Sequence, residues 1–317
     1  MADYVLGVDI GGTNTKFGIV ESDGTIVEEG SFPTGADGHV DDFFDNLEKH
    51  LGSYALNPDV LGAGVGAPNA NFYKGTIEHS PNIHWGEIVP FAEKFKAKFN
   101  KPIYMTNDAN AAAMGEMIFG GAQGMKNFVI FTLGTGLGSG FVVDGKLVYG
   151  HTGYAGEVGH VTVNPNGRFC QCGRRGCLET YVSATGIKRT VFKLMADYPQ
   201  QSELKDFTFN TLSAKRITEA ALNNDLIAIK AFEYTGKMLG QVLADTVVHT
   251  SPEAIFLFGG LVHAGDLLLK PAKQYMEDNI FPMFRNTAKV LPSSLMDKNA
   301  AVLGASALAW AEFGSKN

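Results

Sequence analysis

The chain opens on an apolar run, Tyr4 to Ile10, short and closed by the glycines that follow it. Such a run reads as a β-strand. Two more strand-like segments come next, Lys16 to Val20 and Thr25 to Pro33, the second entered through the hairpin signal Asp23-Gly24. The period then changes. Val40, Phe43, Phe44, Leu47 and Leu51 recur at helical spacing and predict a helix over Val40 to Leu51. A strand over Val60 to Val65, a helix over Ile88 to Phe99 and a strand over Pro102 to Met105 complete the first third. An antiparallel meander that feeds a helix and then further strands is not a plain Rossmann alternation.

The same order returns loosely. Strands over Phe128 to Leu133, Gly140 to Asp144 and Lys146 to Val148 again contain an Asp-Gly turn, Asp144-Gly145. Helices are expected at about 183–198, 213–222 and 225–249, with a strand at 254–258 ending on Gly259-Gly260 and a last helix over Ala300 to Phe313. The repetition predicts an α/β protein of two related domains: residues 1–110, completed by a C-terminal helix over 300–317, and residues 111–299. With no Pro/Ser-rich or low-complexity segment at the junction, residue 110 marks a hinge and not a tether.

Composition narrows the possibilities. At 317 residues the chain accommodates two domains, and 45% hydrophobic with 19% charged residues is the balance of a soluble globular protein. Net charge is −7, and no run of Lys or Arg offers a track for a nucleic-acid backbone, so nucleic acid is not an expected partner. The N-terminus has no secretory pattern, and no apolar stretch approaches the roughly 20 residues of a membrane span. A cytoplasmic enzyme or binding protein is expected, assembled as a homo-oligomer (dimer or tetramer) and without a membrane partner.

Several short segments carry chemistry. In Asp9-Ile10-Gly11-Gly12-Thr13-Asn14-Thr15-Lys16, glycines let the backbone approach a phosphate, Thr13, Asn14 and Thr15 add donors, and Lys16 adds charge. Asp9 could hold Mg²⁺ through water. A bare Gly-Gly would be an ordinary tight turn, but the full motif exceeds what a turn needs. A strand follows it, which excludes the Walker loop and the dinucleotide fingerprint, since both open a helix. A second such turn, Gly134-Thr135-Gly136-Leu137-Gly138-Ser139-Gly140, carries four glycines where a strand would be weakened by each; a bulge explains one of them and phosphate binding explains the set. Gly62-Ala63-Gly64-Val65-Gly66-Ala67 matches a dinucleotide pattern, but Pro68-Asn69 follows and no helix begins there, so that reading fails.

Asn107-Asp108 precedes an alanine-rich helical run, with Asp108 at the expected N-cap. After a strand, an Asp can also accept the proton of a substrate hydroxyl, with Asn107 orienting the substrate. All three cysteines of the chain, Cys170, Cys172 and Cys177, lie within eight residues. An odd, clustered set argues for metal over a disulfide framework, and with His160 it makes a Cys₃His zinc site with no open position. Glu157 and Glu179 flank that site in glycine-rich turns and are suited to sugar hydroxyls, whereas Arg174 and Arg175 read as solvated charges.

Taken together these residues resemble the ROK family of sugar kinases and repressors. The resemblance runs from Asp9 to Glu179, with Phe258-Gly259-Gly260 similar to the family's adenosine-side glycine motif. It implies a two-lobed actin-like ATPase fold of the ribonuclease H-like, hexokinase type, with sugar and Mg-ATP meeting between the lobes. It implies Asp108 as general base. Asn107, Asp108, Glu157, His160 and Glu179 are implied sugar ligands, and His160, Cys170, Cys172 and Cys177 implied zinc ligands. Asp9, Gly11, Gly12, Thr13, Asn14 and Lys16, together with Gly134, Thr135, Gly136, Gly259 and Gly260, are implied to hold ATP and its Mg²⁺. The family usually has Pro-Gly where this chain has Pro68-Asn69, so Asn69 adds a side chain at the sugar; Pro81 to Trp85 resembles the sugar-side loop. The implied reaction is ATP-dependent phosphorylation of a free hexose at its primary hydroxyl, glucose first, with fructose, N-acetylmannosamine or N-acetylglucosamine as other acceptors. A sugar-sensing regulator is the weaker expectation, because the first strand starts at Tyr4 and leaves no room for a preceding DNA-binding segment, while Asp108 and both phosphate turns are intact.

Overall fold

A computed structural model describes residues 3–198, 201–296 and 298–314. It divides into two compact units: Met1–Met125 with Leu147–Ala155 and Ser294–Asn317, and Lys126–Lys146 with Gly156–Ser293. The first unit therefore runs on beyond residue 110, because the helix after Asn107 packs within it.

In the first unit, β1 (Tyr4–Ile10), β2 (Asn14–Glu21) and β3 (Ile26–Pro33) form an antiparallel meander. Helix α1 (Val40–Leu51) follows and buries its five predicted apolar positions. Strand β4 (Val60–Gly66) pairs parallel to β1. Three short strands, β5 (Ala70–Asn71), β6 (Thr76–Glu78) and β7 (Ile88–Val89), make a separate small sheet. Helix α2 is confined to Phe91–Phe99 and does not start at Ile88. Pro90 explains the shift: it disfavours helical backbone at the residue before it, so Ile88–Val89 stays extended. Then come β8 (Ile103–Thr106), parallel to β4, and α3 (Asp108–Phe119). The sheet order is β3-β2-β1-β4-β8.

The second unit repeats this order. Antiparallel β9 (Phe128–Leu133) and β10 (Leu137–Val143), with the two-residue edge strand β11 (Lys146–Leu147), lead through helices α4 (Ala184–Asp197), α5 (Ala214–Leu222) and α6 (Leu226–Thr250) to β12 (Ala254–Phe258), parallel to β9. Helix α7 (Asp266–Asn279) and strand β13 (Lys289–Pro292) complete the sheet β11-β10-β9-β12-β13. Neither α7 nor β13 is readable in the sequence, because Pro271 interrupts one and Pro292 ends the other. Pro271 is accommodated because Gly236 of α6 lets its ring pack closely: a Cβ there would lie 2.7 Å from Pro271 Cγ.

The chain then returns to the first unit as α8 (Ala300–Gly314), whose expected last residues, 315–317, lie outside the described residues. Helix α8 packs on β1, β4 and α3. Glycines make this possible: a Cβ at Gly64 would collide with the Ala305 carbonyl, and one at Gly304 would lie 2.6 Å from the Ala111 carbonyl. The glycines of the rejected dinucleotide pattern thus serve helix-on-sheet packing. Among the described residues no helix is long and apolar enough to cross a membrane.

Candidate active site

In the first unit the functional side chains collect at the carboxyl ends of β1, β4 and β8, where ligands bind in open α/β sheets. Asp9 lies near the end of β1, in register with Lys16 on β2 and with Gly66 on β4. A Cβ at Gly66 would stand 3.8 Å from Asp9 Oδ1 and 3.9 Å from the Asp108 Cα, so the two acidic residues flank the same point of β4. Burial pushes Asp9 up to about 6, with the charge of Asp108 adding to the rise and that of Lys16 opposing it. Desolvation likewise raises Asp108, partly offset by backbone N–H groups at Ala109 and at Asp108 itself. Water reaches the Asp108 side chain. Its carboxyl nonetheless has enough protein around it for the desolvation effect to dominate.

The helix cap differs from the sequence expectation. Asn107 is the N-cap, its Oδ1 accepting from the Asn110 N–H at 2.7 Å, whereas Asp108 is the first helical residue. The order follows from chemistry: a residue in extended backbone right after a strand can turn its side chain back over the helix start, and one already helical cannot. Asp108 accepts from the adjacent Ala109 N–H, at 2.8 Å. The capping task falls to Asn107, and Asp108 is freed from it.

The first glycine turn closes with the Gly11 N–H donating to the Asn14 carbonyl at 3.1 Å. Thr13 and Asn14 are exposed, as phosphate donors require, but Thr15 is fully buried and its hydroxyl is paired with Thr34 at 3.0 Å. Thr15 is therefore no phosphate donor. Thr34, which belongs to no recognisable motif, also donates to the Gly11 carbonyl at 2.7 Å. The loop around Pro81 to Trp85 lies over this turn, since a Cβ at Gly12 would sit 2.8 Å from the Asn82 Cβ. Asn69 adopts φ 54° and spends its amide on the His79 carbonyl, Nδ2 to O 3.0 Å.

In the second unit Leu133 ends β9 and Leu137 begins β10, so the turn is Gly134-Thr135-Gly136 alone. Gly138 and Gly140 lie inside β10 and do not form part of it, a correction to the four-glycine reading. Nothing stands within 4 Å of a Cβ placed at Gly134 or Gly260, which leaves both backbones open to a ligand. Gly259, at φ 107°, lies against the end of β9, where a Cβ would be 2.7 Å from the Leu133 carbonyl. The two glycine motifs of this unit are therefore neighbours at the carboxyl ends of the adjacent parallel strands β9 and β12.

The ligating atoms of His160, Cys170, Cys172 and Cys177 all lie within 4.8 Å of one another. Cys172 and Cys177 Sγ are 3.7 Å apart, and Cys170 Sγ is 3.8 Å from His160 Nδ1. Zn–S bonds of about 2.3 Å in a tetrahedron imply S···S edges of about 3.8 Å, so the set fits zinc. Burial pushes Cys177 up to about 12 and raises Cys170, so zinc binding would have to displace their protons. Arg168 straps the clip to α4, donating to the Thr180 and Gly186 carbonyls at 2.7 and 3.0 Å. Arg174 is exposed but not merely solvated, since its guanidinium donates to the His160 carbonyl at 3.2 Å. Glu157 opens the short helical turn that ends at His160, and Gly159 in that turn packs against the Leu137 carbonyl. Glu179 accepts from the Leu137 N–H at 3.0 Å.

Two sheets with the same meander-then-parallel order, each opened by a glycine-turned hairpin, define an α/β protein of the actin-like, ribonuclease H-like ATPase class. Within it the chain belongs to the ROK family, whose profile matches residues 5–312. It is 37% identical to a glucokinase of Halalkalibacterium halodurans, over 95% of this chain and 93% of that one. It is 28% identical to a xylose repressor of Bacillus spizizenii over 97% of this chain but 77% of the repressor. Among solved structures, a ROK family glucokinase from Streptomyces griseus, in complex with glucose and AMPPNP, superposes with a TM-score of 0.81 at 32% identity, covering 96% of this chain and 98% of that one.

Proposed function

We propose that this chain is an ATP-dependent kinase that phosphorylates a free hexose at its primary hydroxyl, with glucose as the acceptor. The observation that carries the reading is Asp108: a carboxyl freed from capping, at the carboxyl end of a parallel strand, beside Asp9, and raised by desolvation. A carboxylate moved toward neutrality is a stronger base than a free Asp and can take the proton of an attacking hydroxyl. Phosphoryl transfer asks little else of the protein beyond positioning and charge. Asn107, whose Oδ1 is held by the cap, keeps its amide N–H groups for sugar oxygens. Glu157, His160 and Glu179 bind further hydroxyls. His160 offers Nδ1 to zinc, which leaves Nε2–H to donate to the sugar. Thr13, Asn14 and Lys16 with the Gly11-Gly12 turn, and Gly134 to Gly136 with Gly259-Gly260, hold the nucleotide. Asp9 would hold Mg²⁺ through water, and the ion would neutralise charge on the phosphates. The glucokinase relatives favour glucose, and the complete set of site residues favours catalysis over regulation.

The test is a coupled ADP-release assay over glucose, fructose, N-acetylmannosamine and N-acetylglucosamine, with wild type beside Asp108→Asn. Glucose should give the highest kcat/KM, and Asp108→Asn should lose roughly 10²–10⁴-fold in kcat. Because Asn107 and not Asp108 supplies the cap, its melting temperature should stay close to wild type. A kcat within a few-fold of wild type would leave Asp108 without a catalytic part.

A further inference from the structure

The segment that follows the last zinc ligand grips the second glycine turn at three points. Glu179 Oε2 accepts from the Leu137 N–H at 3.0 Å. The Ala184 N–H donates to the Gly134 carbonyl at 2.8 Å, and Thr185 Oγ1 donates to the Thr135 carbonyl at 3.2 Å. The grip is close: any Cβ at Gly136 would strike Glu179 Oε2, so only glycine allows the carboxylate to reach the strand behind it. The segment is itself fixed. Thr180 Oγ1 donates to the Cys177 carbonyl at 2.7 Å, Ser183 Oγ to the Glu179 carbonyl at 2.8 Å, and Ser183 caps α4. Glu179 is thus held from its own backbone, two residues from a zinc ligand, with its carboxylate against the turn.

We propose that Glu179 is a positioning residue for the nucleotide as well as a sugar ligand: Oε2 sets the conformation of the Gly134–Gly136 phosphate turn while the second carboxylate oxygen meets the sugar. This rests on the kinase reading, which makes the turn a phosphate site. A hydrogen bond accepted by a carboxylate is about twice as strong as a neutral one, and this one fixes the first residue after the turn. Without it the turn must be ordered by the nucleotide itself, at the expense of affinity. A residue that only touched sugar would leave nucleotide binding unchanged, and this separates the two roles.

The experiment is isothermal titration of AMPPNP and Mg²⁺, with no sugar present, into the full chain and its variants, followed by titration of glucose alone. Glu179→Ala should weaken AMPPNP binding roughly 3- to 10-fold, less than the full worth of a charge-assisted bond because the Ala184 and Thr185 bonds still hold the turn. Glu179→Gln keeps an oxygen that accepts from the Leu137 N–H. It should hold AMPPNP within about 2-fold of wild type while losing about 10-fold or more in glucose affinity. Thr185→Val, at an exposed site, should weaken AMPPNP by about 2-fold and leave glucose unchanged. If Glu179→Ala does not fold, Glu179→Asp replaces it, since one methylene less withdraws the carboxylate from Leu137. Glu179→Ala, or Glu179→Asp in its place, that binds AMPPNP like wild type but loses glucose would overturn the proposal and leave the kinase reading standing. Wild-type protein that binds no AMPPNP would overturn both.

Discussion

In the first unit the turn between β1 and β2 is braced from close by and by neutral groups: Thr34 donates to the Gly11 carbonyl and pairs with the buried Thr15. In the second unit the corresponding turn between β9 and β10 is gripped by residues 179–185, which follow the Cys₃His cluster. The sheets have the same strand order, and the turns occupy the same place in it. Their supports differ in kind. The first turn's brace belongs to the sheet's own meander, because Thr34 directly follows β3. The second turn depends on a segment between β11 and α4 that is built of short helical turns and isolated β-bridges around the candidate zinc ligands. One topology is therefore compatible with two ways of stiffening a phosphate turn, and the two should fail under different treatments.

The sharpest way to break the symmetry is to remove the metal. Chelation of zinc, or Cys172→Ser, should unfold the clip, because the binding free energy of such a site is folding free energy, about 10–16 kcal/mol in isolated zinc-finger peptides and only partly realised here. Hydrogen exchange should then accelerate at 134–137 and 179–185 while the Gly11 N–H, bonded within its own turn, keeps its protection. Elemental analysis should find about one zinc per chain before chelation. Equal protection of the second turn with and without metal would show that the clip does not support it.

How much of this was legible in the sequence follows from the reach of each signal. Local periodicity located α1 and β9 with their observed boundaries, since their apolar spacing needs no partner to be read. The candidate zinc ligands, which the structure brings together, were readable because rare residues cluster within 18 positions. Features that depend on distant partners were not readable. Thr34 is an ordinary threonine until Gly11 is brought beside it, and Thr185 until Thr135 is. The cap assignment at Asn107-Asp108 could not be made from composition, because both residue types cap well and backbone geometry chooses between them. Residues 266–279 were lost because Pro271 looks like a breaker unless Gly236 is known to receive it.

A second contrast is electrostatic. The first turn has an acid, Asp9, on the strand that enters it, raised from 3.8 to about 6. A raised carboxyl means that between those values the folded state holds more proton than the unfolded one, so its contribution to stability falls as pH rises through that window and stays low above it. Asp9→Asn removes the effect. In ligand-free protein it should be as stable as wild type near pH 4 and more stable at pH 7, by at most about 3 kcal/mol. Denaturant melts at both pH values check this, and a difference independent of pH would remove Asp9 as the buried charge.

A smaller effect is expected from Thr34→Val, which leaves the Gly11 carbonyl and the buried Thr15 hydroxyl each short of a partner. The cost should be about 1–2 kcal/mol of stability. The KM for ATP should rise a few-fold with kcat little changed, because the turn would still form but less often. Exchange at 134–137 should not respond, which separates the two turns from the opposite side to zinc removal.

The smallest effect concerns Asn69, where the resemblance placed an added sugar contact. Its φ of 54° lies in the left-handed region, where Gly is at ease and Asn is the side chain best able to follow. Its amide already donates to the His79 carbonyl at 3.0 Å, so a sugar hydroxyl would have to displace that bond or use the remaining oxygen. The side chain is exposed, and an exposed hydrogen bond of this kind contributes little net stability. Asn69→Gly gains backbone ease at positive φ, loses the bond to His79 and adds unfolded-state entropy; the sum should lie within about 1 kcal/mol of zero. Asn69→Ala keeps none of these gains, and its Cβ must enter the left-handed region with no side-chain amide to help, so it should cost about 1 kcal/mol. If Asn69 serves the turn alone, the ratio of kcat/KM for glucose over N-acetylglucosamine should change by less than about 3-fold in Asn69→Gly. A larger narrowing of that ratio, with stability unmoved, would return Asn69 to the sugar.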